Sequence, residues 1–373
     1  MTAIPPTDAI PPTGAIPPTD SSARAAALSR QAQLTKPAGA LGRLEALSGW
    51  ACSVQGICPP ARFGSPVVAI FAGDHGVART AGTSAYPPEV TAQMVLNFLA
   101  GGAAANVLAR RTGARVDVVD VSVDADAGYA DSLAPGFAAT RIRRSSGSID
   151  REDAMSPEEC RLSVELGRAV ADRLVDEGAD ILIPGDMGIG NTTPAAVLIG
   201  LLTGGTAAEV TGRGTGVDDP TYARKVSVVS AAMHRGIGHV SDADALLRTV
   251  ASPDIAAMSG FLEQAARRRT PVVLDGVVSC AAALVTRLRA PGAEAWWAAG
   301  HVSTEPAARR ALEALRLEPL IDLGLRLGEG TGALLALDVL DAAILTLNEM
   351  ATFESAGVSD KGAGTDTATH QEG

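Results

Sequence analysis

A glycine-rich loop in the sequence has the composition of an anion-binding site. The loop, residues 185–194, reads GDMGIGNTTP and is followed by an apolar helical pattern at 195–202. Thr193 suits a helix N-cap and Pro194 suits the first helical turn. A glycine-rich turn at a helix N-terminus presents backbone N–H groups to an anion such as phosphate. The loop matches neither the P-loop nor the GxGxxG pattern, so a tight strand-to-helix connection is the alternative.

A second glycine-rich segment, TGRGTG at 211–216, precedes Asp218, Asp219 and Lys225. Glycines next to basic residues suit a phosphate or a ribose, because the backbone can approach the ligand closely. The alternative is a surface loop.

Glu329 lies between two glycines, after an apolar run and before a helical pattern. Glycine neighbours leave room for a ligand, so this carboxylate could act as a general base. The alternative is an acid that is stabilised by the helix dipole.

Other polar residues also follow apolar runs. Asp120, Asp124 and Asp126 could bind ribose hydroxyls or a metal-bound pyrophosphate. Such binding raises the possibility of a metal-dependent phosphoribosyltransferase. The alternative is that the three acids are loop residues without a binding role. Two histidines, His75 and His301, could be catalytic or could orient loops. His234 and His239 are five residues apart, off the i,i+4 spacing of a helical metal pair.

These residues need a scaffold, and six continuous apolar runs provide the pattern for one. The runs cover 66–73, 114–123, 180–184, 271–275, 295–300 and 319–323. Helical patterns, including 157–177 and 306–317, separate them. Continuous apolar runs suit strands that are covered on both faces, and alternation with helices predicts a parallel sheet. The predicted fold class is α/β, a doubly wound, mostly parallel Rossmann-like sheet with a smaller, mainly helical domain. Ligands of such sheets bind beyond the carboxyl ends of the strands.

The two ends of the chain differ from its middle. Residues 1–24 begin with an AIPPT repeat and are predicted to be a disordered tail, and so is the Gly/Ser/Thr-rich segment 354–373. Residues 25–353 are then the catalytic region. The apolar stretch 333–347 contains Asp338 and Asp341, which favours a buried helix over a membrane span.

Composition narrows the class of protein. The chain has 373 residues, a formal net charge of −11 and 46% hydrophobic residues. The acidic balance argues against nucleic-acid binding, and the hydrophobic content argues against a disordered chain. The four cysteines form no CxxC pair, which indicates reduced thiols without a zinc framework. No secretory or membrane segment is recognised, so a cytoplasmic protein is expected.

Eight segments together, in order over about residues 25–353, resemble the nicotinate-nucleotide–dimethylbenzimidazole phosphoribosyltransferase family. They are KPAGALGRLE at 36–45, FAGDHGV at 71–77, SAYPPEVTAQMV at 84–95, GDMGIGNTTPAA at 185–196, TGRGTG at 211–216, DGVVSCAAALV at 275–285, GHVSTEP at 300–306 and LRLGEGTGA at 325–333.

The resemblance implies a reaction. The 5-phosphoribosyl group of nicotinate mononucleotide passes to 5,6-dimethylbenzimidazole, giving α-ribazole 5′-phosphate and nicotinate with inversion at the anomeric carbon. The resemblance implies no metal and no cofactor, and it implies a homodimer. Two alternatives remain: a metal-dependent enzyme that uses phosphoribosyl pyrophosphate, and a non-catalytic nucleotide-binding sensor.

The resemblance also assigns residues. It makes Glu329 the general base, with Asp186 as a second catalytic or supporting residue where the family usually has glutamate. The phosphoribosyl group is assigned to Gly188, Gly190, Asn191, Thr192, Lys225, Arg326 and Gly328. The benzimidazole pocket is assigned to Ser84, Tyr86, Gln93 and Leu327.

Overall fold

A computed structural model describes residues 15–214 and 216–359. It divides into two compact units. The larger unit contains Gly64–Leu337 and the described residues before Thr19. The smaller unit contains Thr19–Phe63 and the described residues from Asp338 onward.

The larger unit is built on a six-stranded, fully parallel sheet in the order β2-β1-β3-β4-β5-β6. The strands are β1 (Pro66–Gly73), β2 (Arg115–Ser122), β3 (Ile181–Met187), β4 (Val272–Leu274), β5 (Trp297–His301) and β6 (Pro319–Ile321). All six predicted strands are confirmed. Strand β2 lies on the outer side of β1, whereas β4, β5 and β6 follow one another on the outer side of β3. The strand order therefore reverses its direction between β1 and β3. Ligands are expected at the carboxyl ends of these two strands.

Fifteen α-helices connect and cover the strands in the described part of the chain. They are α1 (Ser21–Gln33), α2 (Arg43–Gln55), α3 (Gly76–Ala81), α4 (Val90–Leu99), α5 (Ala104–Thr112), α6 (Pro157–Asp176), α7 (Thr192–Thr203), α8 (Ala207–Val210), α9 (Asp219–Gly236), α10 (Ala243–Val250), α11 (Pro253–Arg267), α12 (Val277–Arg289), α13 (Pro306–Leu315), α14 (Thr331–Glu349) and α15 (Phe353–Ala356). Short 3-10 turns occupy Phe137–Thr140, Ile237–His239 and Ala293–Trp296.

Helix α11 is the central helix of the core, and its residues Pro253 to Ala266 are all buried. It packs tightly against α6 because glycines face the contact. A Cβ atom on Gly167 would lie 1.7 Å from the Ala257 carbonyl oxygen, and one on Gly260 would lie 2.0 Å from that of Val164. This close approach holds α11 against the sheet, with its first turn near the carboxyl end of β1.

The smaller unit is mainly helical, with α1, α2, α15 and the carboxyl-terminal part of α14. Its first helix begins at Ser21, earlier than the predicted end of the tail at residue 24. The reason is a good N-cap, because Asp20 Oδ1 accepts hydrogen bonds from the backbone N–H groups of Ser22 and Ala23. Thr352 caps α15 in the same way, and this helix extends to Ala356, into the region assigned to a second tail. The rest of both predicted tails, 1–14 and 360–373, lies outside the described residues.

Two segments of the described chain, Val90–Thr112 and Thr331–Glu349, are long and apolar enough to span a bilayer. The first is divided between α4 and α5. In the second, α14, half of the apolar window is buried in the protein, which is typical of a core helix.

Candidate active site

A cavity of about 680 Å³ opens at the carboxyl ends of the strands of the larger unit. Its walls come from the segments that follow β3, β4, β5 and β6, together with residues from α4, α9 and the loop between α3 and α4. Twelve of the thirteen residues assigned by resemblance line this one cavity: Ser84, Tyr86, Asp186, Gly188, Gly190, Asn191, Thr192, Lys225, Arg326, Leu327, Gly328 and Glu329.

Gln93 is the residue that the structure does not place in the cavity wall. It is exposed on α4, whereas Val90 and Met94 of the same helix line the cavity. Successive helical residues are rotated by about 100° around the axis, so Gln93 points away from the direction of Met94. The sequence motif did not fix the rotation of the helix, so it could not show which side chains of α4 face the cavity.

The glycine-rich loop after β3 leads into α7, as predicted, but the helix begins earlier than predicted. Its N-cap is Asn191 rather than Thr193, and Thr193 lies inside the first turn with a buried side chain. Gly190 has a φ of +98°, which lets the chain turn directly into the helix. The Thr192 hydroxyl is consequently at the start of the helix and in the cavity wall.

Lys225 provides a buried positive charge beside this loop. Its side chain is 1% exposed, and its Nζ donates a hydrogen bond to Thr192 Oγ1 at 2.7 Å. Burial lowers the pKa of Lys225, and the charge of Glu305 opposes this effect. An ammonium group that hydrogen-bonds to a hydroxyl retains donors for an anion, so the loop and Lys225 together form a polar end of the cavity that can donate hydrogen bonds to an anion.

Glu305 and Arg326 hold the second glycine-rich segment over the same end. The Gly214 N–H donates to Glu305 Oε1 at 2.9 Å, and Arg326 Nη1 donates to the Gly214 carbonyl at 2.6 Å. A Cβ atom on Gly212 would lie 2.0 Å from Glu305 Oε2, so the segment needs glycine there. Thr215 lies outside the described residues. Sequence reasoning did not find the role of Glu305, because nothing local links it to a loop 91 residues earlier.

Glu329 is a buried acidic residue in the wall of the same cavity. Its side chain is 4% exposed, and its φ is +62° between Gly328 and Gly330, both at +83°. Burial raises the pKa of Glu329 to about 7; the charge of Asp275 adds to the rise, and a hydrogen bond from the Ala105 backbone opposes it. Such a carboxylate is well matched to accept a proton near neutral pH.

Asp275 anchors the backbone that carries Glu329. It follows β4 and accepts hydrogen bonds from the N–H groups of Gly330, Gly332 and Ala333 at 3.2, 2.9 and 3.0 Å. His301 Nε2 lies 3.5 Å from the same carboxylate. Sequence reasoning noted His301 as an ambiguous residue and missed Asp275, although the motif that contains it was recognised.

Asp186 is the penultimate residue of β3 and lies near these groups. Asn191 Nδ2 donates a short hydrogen bond to Asp186 Oδ2. Burial, and then the charge of Asp254, hold the pKa of Asp186 well above its usual range. Asp254 comes from α11 and was not singled out in the sequence.

The remaining polar candidates lie elsewhere. Asp120 is paired with Arg141 at 2.8 Å, and Asp124 is paired with Arg79 and Arg144. These partners explain the acids as structural residues outside the cavity wall, and Asp126 likewise contacts Arg144. The histidines of α9 and its following turn also lie outside it. Among residues 15–214 and 216–359, no group of three His, Cys, Asp or Glu side chains is arranged to hold a metal ion.

Comparisons with known proteins find similarity over most of the chain. A family profile described as Phosphoribosyltransferase matches residues 16–358. The nicotinate-nucleotide–dimethylbenzimidazole phosphoribosyltransferase of Mycobacterium marinum is 55% identical over 326 residues, covering 87% of this chain and 89% of the relative. The enzyme of the same name from Mycobacterium tuberculosis is 54% identical over 328 residues, covering 88% and 89%. A crystal structure of CobT from Thermus thermophilus has a TM-score of 0.84 and 42% identity, covering 91% of this chain and 99% of that one.

The matched region contains the whole cavity, its buried acid and its polar end. The chain therefore belongs to the nicotinate-nucleotide–dimethylbenzimidazole phosphoribosyltransferase family.

Proposed function

We propose that the protein transfers the 5-phosphoribosyl group of nicotinate mononucleotide to 5,6-dimethylbenzimidazole, giving α-ribazole 5′-phosphate and nicotinate. The observation that carries the proposal is a single cavity that contains both a buried glutamate with a pKa of about 7 and a polar end with a buried lysine. A transfer from a pyridinium nucleotide to an N–H base needs both features.

The bonding changes require only one proton acceptor. The bond between the anomeric carbon and the pyridinium nitrogen breaks, and its electron pair neutralises that nitrogen. A benzimidazole ring nitrogen attacks the anomeric carbon from the opposite face, which inverts its configuration. The other ring nitrogen loses its proton to Glu329. The leaving group departs as a neutral ring, so the reaction needs no general acid.

The polar end holds the donor. The backbone of Gly188 and Gly190, the side chains of Asn191 and Thr192, and the Lys225 ammonium offer donors to the phosphate. Arg326 and Gly328 close the neighbouring wall. With the phosphate fixed here, the ribose extends toward Asp186 and the acceptor ring toward Glu329. Holding both rings in position supplies much of the rate enhancement.

The acceptor ring occupies the less polar part of the cavity, formed by Ser84, Tyr86, Val90, Met94 and Leu327. Tyr86 and Leu327 are 56% and 57% exposed, which is unusual for large apolar side chains beside a binding site. We propose that a second copy of the chain covers this mouth in a homodimer. We also propose that the enzyme works in the cytoplasm, since its cysteines are free thiols among the described residues.

The test is a mass-spectrometric assay with nicotinate mononucleotide and a panel of aromatic bases, run in EDTA. The proposal expects ribosyl transfer to 5,6-dimethylbenzimidazole without added divalent ions. Transfer only from phosphoribosyl pyrophosphate with Mg²⁺ would support the metal-dependent alternative. Binding of the nucleotide without turnover would support the sensor.

A further inference from the structure

One buried hydroxyl connects two segments of the cavity wall. Thr91 is the second residue of α4, whose Val90 and Met94 belong to the less polar part of the wall. Thr91 itself is completely buried and is not part of the wall. Ile189 belongs to the wall through the glycine-rich loop after β3. Thr91 can therefore affect a bound molecule only through the segments that it holds.

The Thr91 hydroxyl makes two hydrogen bonds to residues that are distant in the chain. It accepts from the backbone N–H of Ile189 at 3.1 Å and donates to Asp74 Oδ1 at 2.7 Å. A hydroxyl has one proton and two lone pairs, so a proton directed at Asp74 leaves a lone pair for Ile189. The same oxygen thus serves both contacts at once.

Asp74 fixes the direction of this hydroxyl. It directly follows β1 and is 4% exposed. Its other carboxylate oxygen, Oδ2, accepts from the backbone N–H of Asp124 at 2.8 Å. Its own backbone N–H donates to the carbonyl of Ser122, the last residue of β2, at 3.0 Å. The group that receives the Thr91 proton is therefore anchored to the ends of two neighbouring strands.

The loop that carries Ile189 packs on the end of β1. A Cβ atom on Gly188 would lie 2.1 Å from the carbonyl oxygen of Gly73, the last residue of β1, so the two backbones are in direct contact. Ile189 is 5% exposed. Loss of the Thr91 hydroxyl would leave its buried N–H without that partner, which is unfavourable.

The separation of the two wall segments matters for a transfer between two bound molecules. Under the proposed function, the loop after β3 holds the phosphate of the donor, whereas Val90 and Met94 contact the acceptor ring. Reacting atoms must approach to about 3–3.5 Å, and a misplacement of about 1 Å can cost about 100-fold in rate. A fixed link between the segments would set that approach.

We propose that Thr91 is a positioning residue for the transfer: its hydroxyl, oriented by Asp74, ties α4 to the loop after β3 and sets the distance between the donor and the acceptor ring. The catalytic part of this inference rests on the proposed function. The tie itself does not, so the two are tested separately.

Hydrogen exchange of the full-length protein, measured by mass spectrometry, tests the tie. Thr91→Val keeps the shape of the side chain but lacks the hydroxyl. In this variant the amide of Ile189 should exchange at least about tenfold faster, relative to amides of α11 in the same sample. Unchanged relative exchange at Ile189 would overturn the proposal, whatever the enzyme's substrates prove to be.

Thr286→Val is the matched control. Thr286 lies on α12, is also completely buried, and donates from its hydroxyl to the Ser259 hydroxyl at 2.9 Å. It is not part of the cavity wall. Its replacement should lower stability but leave the relative exchange at Ile189 and the value of kcat unchanged.

Kinetics test the positioning role. Thr91→Val should lower kcat by about 10–100-fold, because the two bound molecules are no longer held at the reacting distance. The dissociation constants of nicotinate mononucleotide and 5,6-dimethylbenzimidazole, each measured alone, should change by less than about threefold, because the contacts within each wall segment remain. Thr91→Ser restores the hydroxyl and should keep kcat within about threefold of the wild-type value.

Three kinetic results would contradict the proposal. They are a near-wild-type kcat in Thr91→Val, a loss confined to substrate affinity, and a serine variant as slow as the valine variant. If Thr91→Val does not fold, Thr91→Ala removes the same hydroxyl without placing a methyl group against the Asp74 carboxylate, and the same criteria apply to it.

Discussion

The Asp275 carboxylate accepts a hydrogen bond from the backbone N–H of Gly330, the residue directly after Glu329, at 3.2 Å. The same carboxylate caps the first turn of α14 through two further N–H groups. A strand end thus fixes the position of Glu329, the proposed general base, through its backbone. The charge of Asp275 also raises the pKa of Glu329.

Two substitutions of Asp275 separate these effects. Asp275→Asn keeps an acceptor oxygen but removes the charge, so the acid limb of the pH profile of kcat/KM should move to lower pH. Asp275→Ala removes the cap as well and should lower the free energy of unfolding by about 1–2 kcal/mol. pH profiles and thermal melts measure the two outcomes. An unchanged acid limb in Asp275→Asn would show that its charge does not influence the base.

The sequence predicted the sheet well because its strands are continuous apolar runs between clear helical patterns. The position of the cavity could also be predicted from the sequence, because residues at the carboxyl ends of neighbouring parallel strands lie close together. The sequence did not reveal Asp254 or Glu305, whose roles depend on contacts with residues far along the chain. It also misplaced the helix start at Thr193 and the direction of Gln93, because one residue of helical rotation changes which way a side chain points.

Lys225→Met should weaken binding of nicotinate mononucleotide by roughly 10–100-fold, because a charge-assisted hydrogen bond contributes about 1.5–3 kcal/mol. Nicotinate riboside, which lacks the phosphate, should bind both proteins equally. The melting temperature of the free protein should rise, since a buried ammonium group is removed. Calorimetric titration and thermal melts check these outcomes.

Lys36→Met is the matched control for this variant. Lys36 is paired with Glu45 at 2.7 Å, outside the cavity wall. Its replacement should lower the melting temperature and leave donor binding intact. If Lys36→Met weakened donor binding as much as Lys225→Met, the assignment of Lys225 to the phosphate would be wrong.

Truncation of the N-terminus should have two stages. Removal of residues 2–14 should leave turnover within about twofold. Removal of residues 2–20 should also lower stability, because Pro17 accepts a hydrogen bond from Trp296 Nε1 and Asp20 caps α1. The lost cap alone costs about 1 kcal/mol. Turnover assays and chemical denaturation of both truncated proteins measure the difference; equal stability would contradict it.

As the pH rises, ionisation of Glu329 should increase turnover and lower the stability of the folded protein. Its pKa in the folded protein is about 7, above its ordinary value of 4.5. Its contribution to stability is therefore complete below pH 4.5 and is lost as the pH rises through 7. The loss should be about 2 kcal/mol, given about 1.4 kcal/mol for each pKa unit and a cavity open to water. Turnover rises over the same range as the base ionises. Denaturation curves for wild type and Glu329→Gln isolate this contribution, and parallel pH dependence would contradict it.

Glu329→Gln should lower turnover by ~10²–10⁴-fold, because the amide keeps the shape of the side chain but cannot accept the benzimidazole proton. Binding of nicotinate mononucleotide should change little, since Lys225 and the loop after β3 are the proposed contacts of its phosphate. Glu313→Gln, the same change at an exposed position of α13, is the control and should retain full turnover. Steady-state kinetics and melting temperatures of both variants distinguish a catalytic residue from a structural one. If Glu329 only stabilised the start of α14, the glutamine would change stability by about 1 kcal/mol or less and leave turnover nearly intact. A folded Glu329→Gln protein with near-wild-type turnover would therefore remove Glu329 as the base, and with it the proton transfer on which the proposed reaction depends.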